Sequence, residues 1–530
     1  MSAQTYDFLN RSWKSTCKIL LGKDIGELSD YEKWLSEYVA MPRIEKSASS
    51  GGLLALAPSS YAPGSRFIGF SEIDMGAKFA PLTINEVKDI DSIIESVGER
   101  FAYSGSIILG NSKFVEESAN VVDSHFIYRS SIVSDSKYVA DSYMIRKCEH
   151  MFGVHGDAES AFILKSSDGH KGRRQFECFT NLVSSDCYYC MRCQDSRELF
   201  FCFGARSKSY CIGNLALPKD KYLAIKSKLL SEITAMLVRD KRIFSLLDVV
   251  RGARKHAPVI DIQSPVEDSK GDMGPIERAF TKTSSLLLGR ELRGIDNYED
   301  YLKRHVKMRL VCKSPLSGRK AYLAGFMTNL AENYKIGNSF VTEDEMVQIG
   351  RLNAGEKFPE SVKMDVDALA KSLHSIAYSA MDDGVGISHN MIDCAMLLHS
   401  EDCYRTDGCA YSKKCAYNFW PRESEHIFGS WAVWESSFCM KGSQSKRLTR
   451  SMEIDTCESC ADLYFSHNCE NVNDSMFCFN TKNKKYAIGN SEFSRADYLK
   501  VKPALLAQIA DSLESRRTLK WDIFSLAVRP

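Results

Sequence analysis

The stretch from Ser106 to Ile145 reads SIILGNSKFVEESANVVDSHFIYRSSIVSDSKYVADSYMI, and its pattern repeats every three residues. Every third position holds either a serine or an aliphatic residue, and the two kinds alternate, so that the full period is six. An α-helix has a period of 3.6 and a flat strand a period of two, so neither element explains a period of three. The pattern predicts a chain that turns inward at fixed intervals and stacks coil upon coil, which is a narrow β-solenoid.

The cysteines follow the same phase. Sixteen of the 18 cysteines, from Cys148 to Cys478, lie at these inward positions, and only Cys17 and Cys312 do not. Stacked coils pair their backbones at about 4.8 Å, so coils of about 12 residues would give about nine coils and a rod of about 40 Å from Ser106 to Asn214. A longer coil, of about 18 residues, would shorten the rod, and the sequence leaves both lengths open.

The chain also reads as a tandem duplication. Residues 150–233 align without gaps with residues 426–509, and Leu20-Leu21-Gly22 recurs as Leu287-Leu288-Gly289. We therefore expect a mixed α and β fold of two copies, each a narrow β-solenoid flanked by α-helices. The predicted boundaries are an N-terminal α-containing segment (1–104), a solenoid with a helical cap (105–250), a linker (251–281), a second N-terminal segment (282–378) and a second solenoid with its cap (379–530).

Composition excludes several classes of protein. The chain has 69 Lys and Arg against 68 Asp and Glu, which argues against a nucleic-acid coat or a polybasic membrane binder. It contains no apolar run long enough to span a membrane, and its first residues lack the apolar stretch of a secretory signal peptide. We expect a cytoplasmic location, or assembly into a particle built inside the cell, without a membrane partner.

The cysteines invite a metal or disulfide interpretation, because Cys187, Cys190 and Cys193 are spaced by three residues. The two copies favour packed thiols instead: Cys187 aligns with Leu463, and leucine packs but cannot bind a metal. Disulfides and a metal stay open as alternatives, and we predict no cofactor. The cysteines that both copies share, and that would be tested first for a metal, are Cys193, Cys202, Cys469 and Cys478.

One segment resembles a known family. CYYCMRCQDSRELFFCFGARSKSYCIGN, which begins at Cys187, and its weaker counterpart LYFSHNCENVNDSMFCFNTKNKKYAIGN, which begins at Leu463, are similar to an uncharacterised cysteine-rich β-solenoid family of candidate-phyla bacteria. That family is often labelled CaiB/BaiF. The resemblance covers part of each copy and implies a fold without an activity. The CoA-transferase label does not fit, because the chain has no nucleotide-binding glycine pattern.

Basic residues recur at aligned positions in both copies, and they could contact phosphates or an acidic partner such as RNA or DNA. Isolated lysines and arginines are more often simply solvated. The residues predicted for an anionic partner are Lys165, Lys171, Arg173, Arg174, Arg206, Lys208, Lys441, Lys446, Arg447, Arg450, Lys482, Lys484 and Lys485.

A histidine and a glutamate are also shared, as His150 with Glu159 and as His426 with Glu435. A catalytic base needs a carboxylate or a nucleophile beside it, so these pairs are the only leads for an enzyme. We expect instead a non-enzymatic scaffold that acts through rigid surfaces with protein partners in a larger assembly, such as a virion or another large particle. A nucleic-acid-associated binder is the alternative, and an enzyme is the third hypothesis.

Overall fold

The computed structural model describes residues 3–256, 271–381 and 384–528. Its fold is mixed α and β, with long parallel sheets that are compatible with a β-solenoid. The α-helices of the described residues are α1 (Ala3–Leu21), α2 (Glu32–Leu35), α3 (Ile90–Val97), α4 (Lys219–Asp240), α5 (Leu246–Ala253), α6 (Gly274–Leu288), α7 (Glu299–Lys303), α8 (Thr328–Tyr334), α9 (Glu343–Ile349), α10 (Phe358–Ser361), α11 (Val366–Leu373) and α12 (Arg495–Arg516).

The first run of coils, residues 108–212, stacks short parallel strands. From Lys113 onward each residue pairs with the residue twelve positions later, as Lys137 does with Glu149, so one coil contains twelve residues. The strands of its first face are Lys113–Glu116, His125–Tyr128, Lys137–Ala140, Glu149–Phe152, Ala161–Leu164, Arg173–Phe176, Ser185–Tyr188, Arg197–Phe200 and Ser209–Ile212. Those of its second face are Ile108–Leu109, Ala119–Val122, Ser131–Ser134, Tyr143–Arg146, His155–Ala158 and Ser167–His170.

The second run of coils, residues 384–488, has the same register of twelve, as in the pairing of His389 with Glu401. Its strands are Gly384–Val385, His389–Ile392, Ala395–Leu398, Glu401–Tyr404, Asp407–Ala410, Lys413–Ala416, Glu425–Phe428, Trp431–Trp434, Ser437–Lys446, Thr449–Asp455, Ala461–Glu470, Asn473–Met476, Phe479–Lys482 and Ala487–Ile488. A short antiparallel strand ends each run, at Leu215–Ala216 and at Ser491–Glu492. The helices expected behind the coils are α4 and α12.

The period of three has a backbone cause. Phe114, Glu117, Asn120 and Asp123 all have φ between 46° and 58°, and a left-handed residue recurs every three residues along both runs. This conformation costs about 1–2 kcal/mol for a residue with a side chain. Each left-handed residue turns the chain, and the residue after it points inward. Hydrogen bonds between coils offset the cost, as where the Asp141 N–H donates to the Tyr128 carbonyl at 3.1 Å.

Inward serines complete the hydrogen bonding between coils. The Ser142 N–H donates to Ser130 Oγ at 3.0 Å, and the Ser130 N–H donates to Ser118 Oγ at 3.0 Å, one coil earlier. Each hydroxyl donates in turn to the carbonyl two residues back, which for Ser130 is that of Tyr128 at 2.8 Å. The alternation of serine with aliphatic residues therefore separates hydroxyl ladders from apolar ladders inside the same narrow coil.

Cysteine takes the place of serine in these ladders. Cys148 Sγ accepts from the Ser160 N–H at 3.4 Å, and Cys457 Sγ accepts from the Cys469 N–H at 3.3 Å. Both thiols lie as close to the carbonyl two residues back as the serine hydroxyls do to theirs. A buried thiol is both a small apolar group and a weak hydrogen-bonding group, so it suits either kind of inward position.

Replacement of Ser130 by alanine tests the hydroxyl ladder. Ser130→Ala leaves the buried Ser142 N–H without its acceptor, which costs about 1–3 kcal/mol of stability. Ser130→Cys keeps a weak acceptor at the same place and should cost less. Urea unfolding of the two variants measures the difference, and equal stability of Ser130→Ala and wild type would contradict the ladder.

Each half of the chain begins by packing on its own coils. Tyr188 OH donates to the Leu20 carbonyl at 3.0 Å, and Tyr464 OH donates to the Leu287 carbonyl at 2.9 Å, 276 and 267 residues further along the chain. At Gly153 a Cβ atom would lie 2.8 Å from the Leu35 carbonyl oxygen, so only glycine allows this close approach of the N-terminal segment to the coils.

After these contacts the segments cross over. The strands Arg43–Lys46, Leu53–Leu56, Phe67–Gly69 and Tyr103–Gly105 follow α2 in the first half, but the last of them packs on the second run of coils. Tyr103 OH donates to the Ile523 carbonyl at 2.7 Å, and the Ser104 N–H donates to His467 Nε2 at 2.9 Å. The helix α3 that follows Leu82 therefore caps the other half's coils, with Val97 against Gly489.

The second half crosses in the opposite direction. The strands Leu310–Lys313 and Lys320–Leu323 and the helices α8–α11 follow α7, and this segment packs on the first half. The Ala354 N–H donates to the Gly213 carbonyl at 2.9 Å, and Arg192 forms an ion pair with Glu343 at 3.0 Å. The two halves are thus interlocked by a reciprocal exchange.

The exchange divides each predicted N-terminal segment, 1–104 and 282–378, into a part on its own coils and a part on the other half's. The predicted linker, 251–281, includes the end of α5 and the first half of α6. Its central residues, 257–270, lie outside the described residues.

The interlock predicts that the halves stay together after cleavage. A protease site inserted between residues 257 and 270 should give two fragments that co-elute at the size of the intact chain, because separation would expose the buried surfaces of both exchanged segments. Size-exclusion chromatography of the cut protein checks this. Elution as two separate folded fragments would contradict it.

Candidate functional site

A cleft of about 570 Å³ separates the second faces of the two runs of coils. On one side it is lined by apolar residues of the first run, including Ile132 and Met144, and on the other by Trp420 and Trp434 of the second run. The two indole rings meet edge to face with their centroids 5.2 Å apart. The cleft thus has an aromatic and aliphatic interior that neither half could form alone.

One column of paired residues forms the second run's side of the cleft. Each coil contributes one residue, because the pairing register of twelve places equivalent residues directly above one another. The members of this column are Arg422, Trp434, Lys446, Glu458 and Glu470. On the opposite side Arg146 occupies the position that aligns with Arg422, 276 residues earlier.

Charges surround the apolar interior unequally. Three basic residues line the cleft, Arg146, Arg422 and Lys446. Six carboxylates line it, and these are Asp123, Asp135, Glu423, Glu435, Glu458 and Glu470. Burial lowers the pKa of Arg146, and the neighbouring Arg422 lowers it further. Because carboxylates outnumber basic groups two to one, the cleft favours a cationic over an anionic ligand.

The shared histidines do not meet the shared glutamates. His150 stacks between Tyr138 and Phe162, with ring centroids 5.0 and 4.4 Å away, and its Nδ1 lies 2.7 Å from Ser12 Oγ. Glu159 pairs instead with Arg146 and Lys171, at 3.9 and 3.8 Å. The structure therefore places His150 in an aromatic ladder beneath α1.

His426 occupies the equivalent ladder. It stacks on Phe438 at 4.4 Å, and burial lowers its pKa to about 4. Its Nδ1 lies 4.0 Å from Glu425, and Glu435 lines the cleft. A histidine with this pKa is neutral at pH 7, and no contact joins it to Glu435 in the described part of the chain.

The basic residues predicted for the first copy lie on coil strands and are mostly paired. Arg174 binds Asp186 through two hydrogen bonds of 2.6 and 2.7 Å, and Arg206 pairs with Glu343 of the exchanged segment. Arg173 is exposed, and Lys208 is half-buried. The charges of this set are spread over several coils rather than gathered in one loop.

The set of the second copy is similar. Arg450 forms two hydrogen bonds with Asp462, while Lys446 and Arg447 share Glu458. Lys484 is buried beside Glu492, and Lys482 and Lys485 are exposed. Ion pairing leaves few of the predicted basic side chains open to a phosphate backbone.

Two of the predicted binding residues lie in the interior, which corrects the expectation of an exposed basic loop. Lys165 is fully buried; its Nζ donates to the Trp34 carbonyl at 2.5 Å and lies 3.6 Å from the centroid of Tyr38. Lys441 is also buried and donates to the Leu302 and Arg304 carbonyls. Both join the N-terminal segment to the coils, so neither faces a partner.

Each buried lysine belongs to a cluster with a glutamate and a tyrosine. Tyr301 OH donates to Glu453 at 2.7 Å, and the Ile523 N–H donates to the same carboxylate at 2.9 Å. Burial raises the pKa of Glu453 to about 7, and Lys441 opposes that rise. Glu177 holds Tyr38 and the Leu246 N–H in the same way in the first half.

The cluster makes a prediction about stability and pH. Lys441→Met leaves Glu453 buried without its cation and should cost about 3–5 kcal/mol at pH 8. The pKa of Glu453 is already above its unfolded value and rises further in the variant, so stability falls as the pH rises through this window. Urea unfolding at pH 5 and pH 8 should show a smaller deficit at pH 5. A deficit that does not depend on pH would contradict the assignment.

The shared cysteines line the coil interior. Cys193 Sγ lies 3.5 Å from the Cys202 carbonyl oxygen, and Cys469 Sγ lies 3.3 Å from that of Cys478. All 18 cysteines are free thiols, and burial raises the pKa of these four. Among the described residues, no group of three or more His, Cys, Asp or Glu side chains is placed to hold a metal ion.

The sequence reasoning missed the cleft residues, although the repetition of Arg146 as Arg422 is a signal for them. Comparison with protein-family models, curated proteins and solved structures gives no match to this chain. None of the helices in the described ranges is long and apolar enough to cross a membrane.

Proposed function

We propose that the protein is a non-enzymatic scaffold, built from two tandem β-solenoid copies, that serves as a rigid part of a larger assembly and holds a protein partner in the cleft. The observation that carries this proposal is the cleft itself, which both halves line and which cannot widen without disturbing their interlock. A virion or another large particle built inside the cell would use such a part.

Recurring contacts support the tandem copies. Lys165 and Lys441 are both buried beneath their N-terminal segments, and Glu177 and Glu453 each accept a backbone N–H from the segment behind the capping helix. These pairs are separated by the 276 residues of the sequence alignment. One architecture, duplicated, accounts for both sets of contacts.

The chemistry of the cleft favours a protein segment with an apolar anchor and basic side chains. Trp420 and Trp434 offer faces to aliphatic groups and to cations. The surplus of carboxylates repels a polyanion such as RNA or DNA, and the paired basic residues of the coils leave little open positive surface. The positions of His150 and His426 in aromatic ladders favour a scaffold over an enzyme at these sites.

Purification of the native protein from its source tests the proposal, with mass spectrometry of what co-purifies and the ratio of absorbance at 260 and 280 nm. We expect a stoichiometric protein partner that Glu435→Lys with Glu470→Lys releases, because both exposed carboxylates line the cleft. The matched control, Glu95→Lys with Glu356→Lys, reverses two exposed carboxylates elsewhere and should retain the partner.

Two outcomes would contradict the proposal. Nucleic acid that leaves at high salt would favour the nucleic-acid alternative. A partner that the cleft variant retains as well as the control does would place the interaction on another surface.

A further inference from the structure

A second cavity, of about 300 Å³, lies where the exchanged segments meet. The first half contributes Arg43, Ser59 and Ser60; the second contributes His305 and Lys307 from its crossing segment and Ser443 and Gln444 from its coils. Trp431, Phe524 and Pro58 supply apolar surface. Because four separate stretches of chain line it, the cavity exists only in the interlocked protein.

The charges of this cavity are of one sign. Arg43, His305 and Lys307 line it, and none of its lining residues is acidic. Arg43 pairs with Glu45 at 3.0 Å, and His305 pairs with Asp522 at 3.0 Å, both outside the lining. No carboxylate within the described ranges pairs with Lys307. The cavity is thus the opposite of the cleft, where carboxylates predominate.

Lys307 is the residue that points to a ligand. It is largely withdrawn from solvent, which lowers its pKa, and its charge also lowers the pKa of the buried His155. A desolvated ammonium group without a counter-ion is costly, and an anion in the cavity would offset that cost. The hydroxyls of Ser59, Ser60 and Ser443 and the amide of Gln444 add neutral groups suited to the remaining oxygens.

We propose that this cavity binds a small ligand that bears a phosphate group, with Lys307 and Arg43 as its charged contacts. Water occupies about 30 Å³ per molecule in the liquid, so the cavity has room for an organic group beside the phosphate. That group would contact Trp431, Phe524 and Pro58. Because both halves line the site, the ligand would also stabilise their interlock.

The test titrates the full chain with inorganic phosphate and, separately, with glycerol phosphate, and follows binding by calorimetry and the unfolding temperature. Both probes carry the proposed group, and sodium chloride at matched ionic strength accounts for general salt effects. Tighter binding of glycerol phosphate identifies a phosphate ester as the ligand, whereas equal binding identifies free phosphate. Either result supports the site, and no binding of either probe at millimolar concentration overturns it.

Variants locate the site. Lys307→Gln should weaken binding at least about tenfold, since it removes a charge-assisted contact. Arg43→Gln, at an exposed position that folding does not depend on, should weaken it several-fold and keeps the test valid if Lys307→Gln is unstable. The control Lys137→Gln changes an exposed lysine on the coils and should bind as wild type does. Unchanged binding in both cavity variants would overturn the proposal.

Discussion

The left-handed residue that recurs every three positions is the constraint on which the rest of the structure depends. It turns the chain often enough for twelve residues to close a coil, and it directs every third side chain into an interior too narrow for anything but serine, cysteine and aliphatic residues. Because such a conformation is unfavourable for most residues, each coil needs the hydrogen bonds of the next one. The serine and cysteine ladders supply part of these bonds, which explains why thiols that never meet a metal are so numerous.

The interlock extends this dependence from coils to halves. Coils stacked in a rod expose an unpaired edge at the end, and such edges must be covered. Here each rod is covered by a segment from the other half, with α3 against Gly489 and Ala354 against Gly213. The exchange fixes the two rods side by side, and the cleft and the basic cavity both lie along the surfaces that this arrangement creates. The sites and the stability of the molecule therefore share one origin.

Much of the coil architecture could be predicted from the sequence, because the inward period is written directly in residues such as Ser130 and Val133. The interlock could not, since amphipathic segments indicate burial without indicating which surface buries them. Lys165 and Lys441 read as surface residues because lysine is rarely buried, and only the carbonyls and carboxylates that hold them reveal otherwise. The cleft has no motif at all: its residues come from many coils and become neighbours only through the register of twelve.

Hydrogen–deuterium exchange of the full chain tests the interlock most directly, with wild type compared with a variant whose first run of coils is destabilised. If the halves are interlocked, the second half's crossing segment, which includes α9 and α11, should lose protection together with the first run of coils. Loss of protection confined to the first half, with this segment unaffected, would contradict the account.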